Sequence, residues 1–230
     1  MNDAQTLIRG LSRDLIAVQP LPSPSWRTLI WLAVALPYVV TIVFGVFSLR
    51  PDLGAKFMDW RYVGEQTAAL VTALVAAWAA FSMTIPGSNW RRALVPLVPL
   101  AIWIGLLGEG CLQTAASNGW RPDFTADLVC FPMIIVIGFW PAVVMVAMLR
   151  QGAPLQPHAT VAMGAMAAAG LGNVALRLFH GPDVSLTILV WQVGSALVLA
   201  WLAGLIGPSL LKWRTGRVRE AFGGPERKIS

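Results

Sequence analysis

The sequence is poor in charge: Asp, Glu, Lys and Arg make up 12% of its 230 residues, where soluble globular domains usually carry about 25%. It has only two cysteines and two histidines. The first shortage argues against a soluble globular domain, a disordered tail and a coiled coil, and the second against a disulfide-dense secreted scaffold. What is present is apolar: 57% of the residues belong to the set AVILMFWYC, and 11 are Trp. This is the composition of an integral membrane protein.

A membrane helix needs roughly 20 mostly apolar residues to cross the hydrocarbon. Six windows satisfy this: 29–47, 66–85, 93–112, 128–149, 158–176 and 184–211. Glu109 interrupts the third late, and the sixth is long enough to tilt or project. The windows are rich in Ala, Leu and Gly and lack the alternating polarity of barrel strands. The first lies too far from the N-terminus for a cleaved signal peptide. The expected fold is all-α: six transmembrane helices over residues 26–211, a short amphipathic helix within residues 1–25, and a basic tail at 212–230.

Connection charge predicts orientation. One side collects twelve basic residues: Arg9, Arg13 and Arg27 before the first span, Arg91 and Arg92, Arg150, then Lys212, Arg214, Arg217, Arg219, Arg227 and Lys228. The other side has five: Arg50, Lys56, Arg61, Arg121 and Arg177. Both termini are therefore expected in the cytoplasm. Asp52, Asp59, Glu65, Asp123, Asp127 and Asp183 fall outside, and Glu109 is the one embedded charge. Trp26, Trp60, Trp90, Trp120 and Trp213 mark span ends. Positive-inside bias and anionic lipid account for the basic inner surface, so direct nucleic-acid binding is not implied.

Three outer connections share a pattern: Arg50-Pro51-Asp52-Leu53, Arg121-Pro122-Asp123-Phe124 and Gly181-Pro182-Asp183-Val184. Proline followed by an acid suits a helix's first turn. Each loop re-entering a helix is the simple account; three related hairpins is the bolder one. Gly164, Ala168 and Gly172 give the fifth span a small-residue stripe for close packing. Pro37, Pro96, Pro99, Pro132, Pro141 and Pro208 can kink their spans or sit at the edges.

The segment before the first span reads as a helix within residues 2–19. Leu7, Ile8, Leu11, Leu15 and Val18 form a stripe, with Arg9, Ser12, Arg13 and Asp14 largely elsewhere. Pro20, Pro22 and Pro24 then impose an extended connector. So short a helix is marginal alone in water, and Gly10 costs it up to ~1 kcal/mol. Its stripe needs a surface, and two suit it: the lipid interface or a partner's groove.

Near the outer face the topology gathers Glu109, Cys111, Cys130 and His180, with Asp183 close by. Intramembrane carboxylates usually pair, protonate or serve a function. Three roles compete. The cysteines can form a structural disulfide or remain buried thiols. They can sense redox state or a soft metal, with Cys111, Cys130 and His180 as candidate ligands. Thiol oxidoreductase chemistry usually shows a C-x-x-C pair, and the sequence has none. Glu109 and Cys111 do not share a helix face unless the helix ends between them. A small-molecule transporter is a further alternative, but mid-membrane polar groups are few: Glu109, Asn173, Gln192 and Ser/Thr. No cofactor is implied.

The order of several short motifs resembles the NrsF-like family of bacterial membrane anti-sigma factors. They are the amphipathic start Asp3 to Leu11, L-R-P-D-L at Leu49 to Leu53, I-P-G at Ile85 to Gly87, G-E-G-C-L at Gly108 to Leu112, Cys130-Phe131, R-x-G-A-P at Arg150 to Pro154, and H-x-P-D at His180 to Asp183. The resemblance implies a non-enzymatic protein of the bacterial inner membrane. It implies that residues 1–25 hold an extracytoplasmic-function sigma factor, through Leu7, Ile8, Leu11 and Leu15 with Arg9, Arg13 and Asp14 around them. It also implies release on a periplasmic oxidative or metal-stress signal at the outer cysteines. One family cysteine lies in an H-C-P arrangement between the last two spans, where this sequence has Gly181. Cys130 matches the family pattern without that partner; either Cys111 substitutes for it or sensing uses another signal.

Overall fold

A computed structural model describes residues 2–13, 21–118, 130–179 and 188–211. Within them are eight α-helices and no strand: α1 (Asn2–Arg13), α2 (Pro24–Gly45), α3 (Leu53–Lys56), α4 (Trp60–Ser82), α5 (Leu97–Asn118), α6 (Cys130–Leu149), α7 (Pro157–Leu176) and α8 (Gly194–Leu210). A 3-10 turn (Trp90–Leu94) leads into α5, and a π-helical stretch (Ile188–Val193) leads into α8. Six helical segments are long and apolar enough to cross a membrane, in agreement with the six windows. The chain is a multi-pass membrane protein.

Helix starts follow local chemistry. Ser23 caps α2, its hydroxyl accepting from the Trp26 amide at 3.3 Å, and Pro24 takes the first position, where no amide partner is needed. Asp59 caps α4 by accepting from the Arg61 amide at 3.0 Å. α4 thus begins six residues before the expected window, which places Glu65 inside a helix. The first of the three Pro-Asp motifs does re-enter a helix, the single turn α3 behind Asp52. The other two lie outside the described residues.

α7 is the central helix. Its apolar window is 72% buried, against 28–50% for the other five spans, and it packs on α4, α6 and α8. Small residues make this possible. A Cβ on Gly164 would come within 2.8 Å of Met145 Cγ, and one on Gly172 within 3.2 Å of the Ile134 carbonyl, both on α6. The expected stripe is therefore a packing seam, with the Ala168 carbonyl against Gly138. Gly170 meets Ala73 of α4, and Gly204 and Gly207 of α8 meet Ala162, His158 and Pro157.

Pro37, Pro141 and Pro208 lie inside helices. Aromatic side chains of α2 use carbonyls of α6 around Pro141: Trp31 Nε1 donates to the Pro141 carbonyl and the Tyr38 hydroxyl to that of Val136, each at 2.9 Å.

Side-chain contacts fix which helix ends meet. The start of α2 meets the ends of α4 and α6; this is called the N-terminal face. The end of α2 and the start of α4 meet the end of α7 at the far face.

Candidate functional site

The far face carries a buried ionic cluster between α4 and α7. Glu65 and Arg177 are 7% and 6% exposed, and an Arg177 guanidinium nitrogen donates to the Glu65 carboxylate. Tyr62, one turn before Glu65, lies under the guanidinium at 4.9 Å from its ring centre and donates its hydroxyl to the Arg177 carbonyl at 3.0 Å. Gln66 Nε2 donates to the Val174 carbonyl at 3.2 Å and reaches the Tyr62 hydroxyl at 3.3 Å. Each charge is desolvated, so each needs the other.

Hydropathy alone makes Glu109 the one embedded charge and puts Glu65 outside. The structure corrects this. Glu109 does lie within the third span (Trp90–Gly110), but it is not alone: Glu65 lies within the second span (Trp60–Ser82), buried against Arg177. The side chain of Glu109 pairs with Arg61 at 3.5 Å. Gln113 bridges the two, accepting from Arg61 at 2.7 Å and donating to Glu109 at 3.1 Å. Hydropathy windows end at a charge whether or not it has a partner; the complementary sign at Arg177 was the available signal.

α2 joins the same face. Arg50 is 7% exposed and holds Asp52 through two hydrogen bonds, Nε to Oδ1 at 2.6 Å and Nη2 to Oδ2 at 2.7 Å. The Arg50 amide donates to the Leu178 carbonyl at 3.1 Å, and Phe47 stacks on Phe179 with ring centres 4.3 Å apart. Asn173 reaches from α7 to the π-helical stretch, donating to the Gln192 carbonyl at 3.3 Å.

On the N-terminal face Arg27 is buried at 2% exposure, rather than lying in the connection ahead of the first span. Nη1 donates to Thr84 Oγ1 at 2.8 Å, Nη2 donates to the Met148 carbonyl, and the guanidinium lies over Phe81 at 4.6 Å. Thr84 donates on to the Phe81 carbonyl at 2.7 Å. Nearby, Arg150 donates to the Leu210 carbonyl at 2.8 Å, and His158 Nδ1 lies 2.9 Å from that of Gly204.

The predicted partner-binding residues fall on and beyond α1. Ile8 is 63% exposed and Arg9 is exposed. Leu7, Leu11 and Arg13 lie in α1, with side chains outside the description; Asp14 and Leu15 lie outside the described residues. Cys111 lies in α5 and Cys130 opens α6, again with undescribed side chains, and His180 lies outside the described residues. Among the described residues no group of three or more His, Cys, Asp or Glu is placed to hold a metal ion.

The sequence profile of NrsF, described as negative regulator of sigma F, matches residues 11–213. The chain belongs to the NrsF family. Its family role is negative regulation of a sigma factor, a regulator's role that makes a sigma factor its partner. The match takes in all six spans and both arginine clusters, and begins inside α1, after Leu7, Ile8 and Arg9. No curated protein and no solved structure matches the chain.

Proposed function

We propose that this NrsF-family chain is an anti-sigma factor of the bacterial inner membrane that sequesters an extracytoplasmic-function sigma factor. Both termini are cytoplasmic, as the inner excess of Lys and Arg favours. Residues 1–25 are the binding segment, 26–211 the six-helix domain and 212–230 a basic tail. The family match carries this reading. The amphipathic α1, with Ile8 exposed ahead of the first span, supports the choice of binding segment. Leu7, Ile8, Leu11 and Leu15 enter the partner's groove, and Arg9, Arg13 and Asp14 border it.

Release follows an oxidative or metal signal at the periplasmic ends of α5 and α6, where Cys111 and Cys130 sit, with Glu109 and His180 as neighbours in sensing. The signal must bind or modify the holding and releasing states differently to shift their balance. Co-purification of the full chain from membranes with a co-expressed sigma factor tests the partner. Retention by the native chain and loss with Leu11→Asp is the expected result; absence of the sigma factor from the native preparation rejects the reading. Replacing Cys111 and Cys130 by Ser should abolish stress-induced release, and an unchanged response removes the cysteines from sensing.

A further inference from the structure

Arg27 is a buried cation with no carboxylate beside it among the described residues. Its two terminal nitrogens are used, one on Thr84 and one on the Met148 carbonyl, and its Nε has no hydrogen-bond partner. Thr84 follows the end of α4 at Ser82, and Met148 is the penultimate residue of α6. The guanidinium therefore lies where two helix C-termini converge, and their partial negative charges stand in for a counter-ion. The surroundings are tightly built. The Ala153 amide donates to the Thr84 carbonyl at 3.1 Å. A Cβ on Gly152 would fall 2.5 Å from Thr84 Cβ.

The position of Arg27 along the chain gives this contact its reach. It lies in the first turn of α2, immediately after the capped start at Ser23. Ahead of it, Leu21, Pro22 and Ser23 run into the helix start without regular structure, and Pro22 and Pro24 restrict the backbone there, so the direction of the chain at Arg27 sets the direction in which residues 21–23 leave the bundle. Behind it, α6 runs from Cys130 to the helix end that holds Arg27, and α4 runs from the Glu65–Arg177 pair to Thr84.

We infer that Arg27 is a positioning residue: it ties the exit of the N-terminal segment to the ends of α4 and α6, so that a shift of either helix re-aims the segment. The inference rests on the reading that this segment holds the sigma factor. Its own readout is geometric. Spin labels at Leu21→Cys and Leu155→Cys, two exposed sites on the N-terminal face, report the exit in the full chain, in nanodiscs, with Cys111 and Cys130 replaced by Ser.

Arg27→Gln should broaden or displace the distance distribution beyond the width seen with Arg27 present. Arg27→Lys, with one ammonium for two acceptors, should lie between. Arg177→Met should leave the distribution in place, although it lowers thermal stability more. Sigma-factor affinity in the same proteins should fall at least tenfold for Arg27→Gln. An unchanged distribution in Arg27→Gln overturns the inference, whatever the affinity does. A displaced distribution with full affinity upholds it and rejects the N-terminal segment as the binding element. If Arg27→Gln does not insert, Thr84→Val removes one acceptor and gives the same comparison.

Discussion

Arg177 and Arg27 are buried to a similar degree, at 6% and 2% exposure, yet their partners differ in kind. Arg177 faces the Glu65 carboxylate, whereas Arg27 faces a hydroxyl, a carbonyl and an aromatic ring. At the far face two full charges cancel, and removal of either strands the other. At the N-terminal face the compensation comes from helix ends, and removal of the cation leaves only neutral groups. The Met148 carbonyl would still accept from the Gln151 amide at 3.2 Å, and Thr84 would still donate to Phe81. The far cluster is therefore the firmer tie, and the Arg27 cluster is one whose partners can be exchanged without stranding a charge.

The largest effect should come from breaking the far pair on one side. Arg177→Met leaves Glu65 buried without its cation and should lower unfolding free energy by about 3–5 kcal/mol, measured by denaturant titration in micelles. The double variant Arg177→Met with Glu65→Leu should recover most of that loss, because no charge remains to strand. A double variant as unstable as the sum of its singles would show that uncompensated charge is not the cause.

Arg27→Met should cost less, about 1.5–3 kcal/mol for hydrogen bonds to a charged group. Here the two singles share one interaction: adding Thr84→Val should change little once the donor is gone. Full additivity would mean that Thr84 contributes through something other than Arg27. Gly152→Ala should cost about 1–3 kcal/mol by overpacking, since its new methyl meets Thr84 and the loop backbone cannot yield freely. Gly105→Ala in α5, with nothing within 4 Å of the added carbon, is the control and should gain up to ~1 kcal/mol in helix propensity.

The spans were legible because hydrocarbon thickness and helix rise set their length, and a single residue's polarity reports on it. The existence of an N-terminal helix was legible from the stripe through Leu7, Ile8 and Leu11, and its described part covers Asn2–Arg13. The Gly164-Ala168-Gly172 seam was legible because only small residues permit such close approach. The buried charges were not. Glu65 and Arg27 were read as lying in connections because desolvated charge is tolerated only with a partner, and the partners are 112 and 57 residues away in sequence. The first would have emerged from pairing an acid and a base near span ends on one predicted side. The second carries no acidic signal at all, since its acceptors are a threonine hydroxyl and a main-chain carbonyl.

The smallest effect belongs to another ion pair of the far face, Arg61 with Glu109. Arg61 lies one turn before Glu65 on the same helix and pairs with Glu109 at 3.5 Å, with the side chains 24% and 48% exposed. Gln113 spans both partners, and Trp60 lies 5.9 Å from the Arg61 guanidinium carbon, so the geometry is at least as crowded with partners as that of Glu65. What differs is how far the protein encloses the pair. The Arg61–Glu109 side chains are more open, and the proposed topology puts them at the outer ends of their spans, within reach of water and salt, so Arg61→Ala should cost under about 1 kcal/mol, less still at high ionic strength. A loss that matches Arg177→Met would mean that burial does not separate the two pairs, and the contrast between a locked far cluster and its solvated neighbour would have to be drawn from geometry instead.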